Sequence, residues 1–359
     1  MRSFRRFAPR RRAVGTLAVA VALGVLAVLL VGKATSYASL AESIRGADWR
    51  WVPVCLAGEL LAYAGYILAY RDLARVDGGP TLSYRLITRV VATSFGAFVL
   101  SSVAGPAVDF WALRRAGAQR NDAVVRILAM NTLKFGVLGA AAALAAVALI
   151  LGAGAGAPLG MTVPWIVVVS VCVALAAWLS GPAFGSRFAA APADHDHSQC
   201  GLRVFEHCVH YLAREGAYDA VRGVVYVRHV LAQPLRYPAG VLGYPIYWAG
   251  DILCLWGGLR AFGAEIGVGA LVLAYATGYV VTILPLPGGG TGGIEAATTY
   301  ALHVLGVPLA PALLGVVLYR VVNFWLPILP ALAVLPTLRR LEARLRADAA
   351  AEIEPMPAV

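Results

Sequence analysis

Apolar residues run on along this chain rather than alternating with polar ones. The stretches 13–32, 51–70, 84–104, 122–151, 162–184, 237–257, 267–284 and 309–336 are apolar almost throughout, and short polar or arginine-bearing segments separate them. A run of about 18 or more apolar residues has the length of a membrane-crossing helix. The pattern predicts an all-α, polytopic integral membrane protein. Composition agrees, with 60% hydrophobic residues and a mean hydropathy of +0.74, above the roughly half-apolar content of soluble domains.

Two of the apolar runs contain breakers. The stretch Leu284-Pro-Leu-Pro-Gly-Gly-Gly-Thr-Gly-Gly-Ile-Glu-Ala296 interrupts one of them. Pro285 and Pro287 cannot continue a helix, and Gly288, Gly289, Gly290, Gly292 and Gly293 free the backbone to turn. Glu295 follows where a new helix would begin, with the positive dipole end favouring its charge. Broken backbone at membrane depth is tolerated only inside protein or beside a wet cavity. The turn therefore predicts a re-entrant element at a functional centre. A weaker break, Ser101-Ser-Val-Ala-Gly-Pro-Ala-Val-Asp109, follows the run 84–104.

Charge then orients the runs. The chain carries 30 basic residues and a net charge of +11, with Lys33 and Lys134 as its lysines and arginine for the rest. Arginine excess beside apolar runs marks cytoplasmic loops, and no folded basic domain stands behind it, which excludes nucleic acid as a partner. Arginines 2, 5, 6, 10, 11 and 12 precede the run 13–32. That run exceeds a signal-peptide core of about 7–15 residues, so it reads as an uncleaved first helix with a cytoplasmic N-terminus.

Leu40, Ile44 and Ala47, with Trp49 and Trp51, suggest an interfacial turn outside. If 84–104 crossed fully, the arginines at 114, 115, 120 and 126, and then those of the 187–236 loop, would lie outside. A hairpin over 84–118 entering from the cytoplasm keeps both clusters inside. The basic tail, with Arg339, Arg340, Arg344 and Arg346, likewise requires 267–305 to enter and return from the outside.

The expected organisation is about six full spans plus two opposed re-entrant hairpins. Residues 1–50 form the basic N-terminus, first helix and external segment. Residues 51–184 form a first membrane unit, 185–236 a cytoplasmic polar loop, 237–336 a second unit of opposite orientation, and 337–359 a cytoplasmic tail. Opposed units with broken helices are the pattern of an inverted-repeat transporter. Gly117 to Asn131 and Gly306 to Arg320 have the same spacing, which supports the repeat.

Ionisable residues at membrane depth are costly and mark pathways. They are Glu295, Arg320, Asp109, Lys134, Asp251 and Glu59, joined by the polar Asn131. Glu295 suits contact with a cationic head group, a proton-coupled step, or capping of its own helix. Arg320 suits a lipid phosphate or an ion pair with Glu295 or Asp251. Asp109 stands as the first-unit counterpart of Glu295, with Arg114 as its alternative partner.

His195, His197, Cys200, His207, Cys208 and His210 cluster in the polar loop. Their spacing matches no closed zinc pattern, so a solvated loop is expected and no metal or other cofactor. No nucleotide-binding loop of the G-x-x-x-x-G-K-[ST] kind occurs, which excludes ATP-driven transport within the chain. The few cysteines imply no disulfide framework.

The Pro-Gly-Gly-Gly-Thr-Gly-Gly-Ile-Glu-Ala turn, then Leu305-Gly-Val-Pro308, then Tyr319-Arg320 and a proline-rich last span resemble the lysylphosphatidylglycerol synthase transmembrane region, or flippase-like domain, family. The resemblance covers 237–336 strongly and 51–151 more weakly, through Pro106, Asp109 and Gly117. It implies a multi-pass protein of the bacterial cytoplasmic membrane that handles polar lipids. The best-known relatives fuse this region to a cytosolic aminoacyl-transferase domain. This sequence ends at Val359, so the expectation is lipid transport without aminoacyl transfer. The alternatives are a membrane scaffold serving a separate envelope enzyme and a membrane-embedded head-group transferase. Membrane lipids are the expected partners, with a second copy of the chain or a separate envelope enzyme as protein partner.

Overall fold

A computed structural model describes residues 22, 37–99, 103–152, 156–181, 205–283 and 290–334. These are helical with no strand among them. The helices are α1 (Tyr37–Arg45), α2 (Val52–Ala74), α3 (Tyr84–Phe98), α4 (Ala104–Arg115), α5 (Arg120–Ile150), α6 (Leu159–Leu179), α7 (Phe205–Ala232), α8 (Pro238–Ala261), α9 (Val268–Tyr279), α10 (Gly293–Val304), α11 (Leu309–Arg320) and α12 (Ile328–Val334). The expected first helix over 13–32, apart from residue 22, and the basic tail lie outside the described residues.

Among the described residues, four segments are long and apolar enough to cross a bilayer: Trp49–Ala74, Arg120–Ile150, Leu159–Leu179 and Leu309–Val334. Helix α8 has 24 residues, also a crossing length, but its glycines, tyrosines and Asp251 reduce its hydropathy. By contrast, α3 has 15 residues and α4, α9 and α10 have 12 each. At 1.5 Å per residue these reach only about 18–22 Å, short of a hydrocarbon core of about 30 Å. They pack as two pairs, α3 on α4 and α9 on α10. Each pair also rests on the other half of the chain, α3 against α12 and α9 against α5.

The centre of the molecule is the contact of α2 with α8, the most extensive between any two helices. Their sequences explain it. A Cβ placed on Gly58 would lie 2.6 Å from the Gly250 carbonyl oxygen, and one on Gly65 would lie 2.5 Å from that of Gly243. The reverse holds too: a Cβ on Gly250 would lie 2.5 Å from the Gly58 oxygen. The two backbones therefore touch where neither has a side chain. In lipid there is little hydrophobic force between helices, so such close van der Waals approach carries the association. Gly258 repeats the device against α11, with a Cβ falling 2.6 Å from the Gly315 oxygen.

Polar groups tie the ends. Asp72, buried near the end of α2, accepts the Gly240 N–H in the first turn of α8 at 2.9 Å and pairs with Arg75 at 2.5 Å. Arg126 is one of the arginines taken from the sequence as a loop charge. It is instead 5% exposed and donates to the carbonyls of Ala74 (3.0 Å) and Val76 (2.8 Å). There it satisfies acceptors left open at the end of α2. Tyr226 of α7 joins the same corner at 3.0 Å from the guanidinium, so the polar segment before residue 236 contributes one helix that lies along α5.

Two corners share one geometry. Gly117 and Gly306 both take φ of 96°. In each, the residue after the glycine donates five residues back, Ala118 to Leu113 at 3.1 Å and Val307 to Leu302 at 3.0 Å. This is the glycine-terminated helix stop, which needs the left-handed backbone that glycine adopts freely.

The glycine seam makes a specific demand. Gly65→Leu or Gly250→Leu, each forcing a side chain against facing backbone, should lower stability by at least about 1–3 kcal/mol. Thermal melting of purified protein in detergent should show the loss, whereas Gly136→Leu, which meets open space, should melt close to wild type.

Candidate functional site

Between the two short-helix pairs lies a cavity of about 440 Å³. Its walls come from α2, α3, α4, α5, α8, α9, the start of α10 and the end of α11. Aromatic rings form much of the surface, including Phe95, Phe98, Phe135 and Phe324. Its basic groups are Lys134 and Arg320, accompanied by Asn131 and Asn323. Each of the two helical segments thus offers a polar pair three residues apart, Asn131 and Lys134 from α5, Arg320 and Asn323 from α11 and its extension. Residues three apart share a helix face. Val321–Trp325 forms a π-helical turn, a widened turn often found at functional sites.

Glu295 is where its sequence context placed it, in the first turn of α10 and 4% exposed. One oxygen accepts the Gly292 N–H at 2.6 Å, and the other accepts Arg320 Nε at 2.8 Å. Gly290 and Gly292 take φ of 81° and 90°, a conformation strained for other residues. Capping and ion pairing, separate possibilities in the sequence, are both made. Pro285, Pro287, Gly288 and Gly289 lie outside the described residues.

Arg320 is 4% exposed, and its guanidinium carbon sits 4.1 Å from the Phe324 ring centroid. Its Nη2 is buried without a hydrogen-bond acceptor among the described residues. A buried guanidinium with an unused donor keeps the capacity to bind a further acceptor.

Asp109 does not occupy the place of Glu295. It lies in the middle of α4, and Oδ2 accepts the Tyr66 hydroxyl at 3.2 Å while its backbone carbonyl accepts Tyr70 at 3.3 Å. Arg114, the alternative surface partner, instead donates to the Ala118 carbonyl at 2.6 Å. Measured from the corner glycines, the position matching Glu295 is Pro106, eleven residues before Gly117 as Glu295 is before Gly306.

Lys134 holds its ammonium 4.9 Å from the Phe135 centroid and 5.9 Å from that of Tyr66, a cation–π environment. Asn131 donates to the Ile127 carbonyl of its own helix at 2.9 Å. Glu59 and Asp251 are buried and meet through one residue: Asn323 Nδ2 donates to Glu59 at 3.2 Å and to Asp251 at 2.8 Å. Asn323 was missed in the sequence, although an amide one turn beyond Arg320 in an apolar run was a usable signal. The tyrosines 66, 275 and 319 were missed as well, since a tyrosine in a membrane run reads as ordinary packing.

No group of three metal-ligating side chains occurs among the described residues. His195, His197 and Cys200 lie outside them, and the side chains of His207, Cys208 and His210 are likewise not described.

The buried ion pair can be tested by a double-mutant cycle. Glu295→Ala should destabilise by about 3–5 kcal/mol, because it leaves a buried guanidinium without its partner. Glu295→Ala with Arg320→Met should recover part of that loss, read by melting in detergent.

The family model described as the lysylphosphatidylglycerol synthase TM region matches residues 16–331, and a search of curated proteins gives no match. The chain belongs to that family and is a multi-pass membrane protein.

Proposed function

We propose that this member of the lysylphosphatidylglycerol synthase TM region family moves polar lipids between membrane leaflets. The head group would pass through the central cavity, and its phosphate would meet Arg320 and Lys134. The observation that carries this reading is the cavity itself. It combines two basic groups, one with a buried unpartnered donor, with aromatic walls. A phosphate needs the former, and the glycerol and upper acyl segments suit the latter.

Features that recur in α2–α5 and in α8–α12 support an inverted repeat and, through it, the transport mechanism. Gly58 and Gly65 are seven residues apart, as are Gly243 and Gly250, and each meets the other helix's glycine. The corners at Gly117 and Gly306 match in φ and hydrogen bonding. Counting 14 and 17 residues onward from each gives Asn131 and Lys134 in one half, Arg320 and Asn323 in the other. The pairs α3–α4 and α9–α10 act as opposed re-entrant hairpins, over 84–118 and 267–305. With α8 and the span expected over 13–32, outside the described residues, the chain would have six spans, both termini in the cytoplasm, within a bacterial inner membrane. Units of opposite orientation can rock around a shared site. Glu59, Asp109, Asp251 and Glu295 belong to that pathway, which acts without a bound cofactor and takes membrane lipids as its partner.

Proteoliposomes carrying a fluorescent anionic phospholipid in both leaflets test the reading. Wild-type protein should expose inner-leaflet lipid to an external quencher faster than empty vesicles do. Arg320→Ala should slow this about tenfold or more, the effect of losing a charge-assisted contact of about 1.5–3 kcal/mol, and Lys134→Met should slow it less. Wild-type vesicles that expose lipid no faster than empty ones would overturn the proposal. Stable co-purification with an envelope enzyme would then favour a scaffold, and head-group turnover by the pure protein a transferase.

A further inference from the structure

One of the close contacts of α2 with α8 brings two acids together. Glu59 follows Gly58 and Asp251 follows Gly250, and those two glycines touch backbone to backbone. Both carboxylates are buried, Glu59 at 5% exposure and Asp251 at 0%. A single neutral amide, Asn323 Nδ2, donates to both.

Their remaining hydrogen bonds are unequal. The second oxygen of Asp251 accepts the hydroxyls of Tyr275 and Tyr319, the latter at 3.4 Å. Glu59 has only its share of Asn323, and its Oε1 is buried with no partner among the described residues. Tyr63, one turn further along α2, has a hydroxyl in the same condition.

The charges around the pair do not cancel. The titratable groups in electrostatic reach are Tyr63 on α2, Tyr247 and Cys254 on α8, Tyr275 and Tyr279 on α9, and Tyr319 and Arg320 on α11. Arg320 is the cation among them, and its Nε is bonded to Glu295. Two carboxylates sharing one amide in a low-dielectric interior repel strongly, and an uncompensated buried charge is among the costliest features a protein can hold. One small cation removes the imbalance and also supplies what Glu59 Oε1 lacks. Sodium accepts carboxylate and hydroxyl oxygens as ligands, and a proton turns one carboxylate oxygen into a donor.

We infer that Glu59 and Asp251 form a binding site for one small monovalent cation, H⁺ or Na⁺, at the α2–α8 contact, with Asn323 linking it to the cavity. Asn323 lines that cavity one turn beyond Arg320, within the π-helical turn. Occupancy of the acid pair is thereby tied to the segment that carries the anion-binding guanidinium. Coupling of cation to lipid rests on the transport reading, whereas cation binding stands apart from it.

The test uses the purified full chain in detergent micelles, where no lipid transport takes place. In one arm, ²²Na⁺ binding and melting temperature are followed as Na⁺ replaces choline at constant ionic strength. In the other, infrared difference spectra between high and low pH are recorded in Na⁺-free buffer. The site predicts one of two results. Either wild type binds about one Na⁺ per chain and melts higher with Na⁺, or it shows a buried carboxylic-acid C=O band. Glu59→Gln and Asp251→Asn should each abolish that response while remaining monodisperse, and Asn323→Ala should shift its midpoint by severalfold.

Wild type with neither response overturns the proposal, as does a response that survives undiminished in both acid variants. If both acid variants fail to fold, the wild-type stoichiometry and the Asn323→Ala midpoint decide. Failure here alongside intact lipid movement refutes the cation site alone.

Discussion

A charge buried in a membrane protein has to find its opposite, and Glu295 shows how much structure follows from that. Its two oxygens are divided between the backbone N–H of Gly292 and the Nε of Arg320. The first bond holds the start of α10 at the end of a glycine turn. The second clamps that start to the end of α11, across 25 residues of sequence. Without the pair, the Gly292 N–H would lose its acceptor and a guanidinium buried in the protein interior would lose its counter-charge, each at a cost of several kcal/mol. The ion pair thereby fixes the start of α10 and the end of α11, both of which wall the cavity.

The glycine seam between α2 and α8 plays the complementary part. It brings two backbones into contact, so that the residues beside the glycines, Glu59 and Asp251, face the same amide of Asn323. Side-chain removal at four positions thus decides where two acids sit. The cavity lies against this seam and is walled from both halves, so movement of one half against the other must reshape it. Arg320 joins the two systems. It bonds the start of α10 through Glu295, lines the cavity while one of its buried donors stays unused, and is followed one turn later by the asparagine between the acids.

Some of this was readable from local sequence and some was not. Glu295 at a helix start followed from two prolines, a glycine run and an acid in order. The equal spacings from Gly117 to Asn131 and from Gly306 to Arg320 were visible as a sign of a repeat, but that both glycines stop a helix in the same geometry was not. Asp109 was misplaced because an acid near a Gly-Pro step resembles an acid after a glycine turn. In the folded chain it is mid-helix and hydrogen-bonded to Tyr66. Arg126 looked like one more loop arginine, since nothing nearby in sequence announces the carbonyls at the end of α2 that it serves, about 50 residues away. Asn323 was passed over because its two partners lie 264 and 72 residues distant.

Hydropathy, helix breakers and arginine distribution are properties of short windows. They were enough to determine an all-helical membrane protein and the approximate extent of its described helices. Which charges pair, which glycines touch and which side chains share a cavity depend on contacts between residues far apart in the chain. Those contacts are set by steric fit between packed helices, a property of surfaces that exist only once the helices have formed and met. The residues that carry chemistry could therefore be nominated from sequence, and the tertiary structure decided their partners.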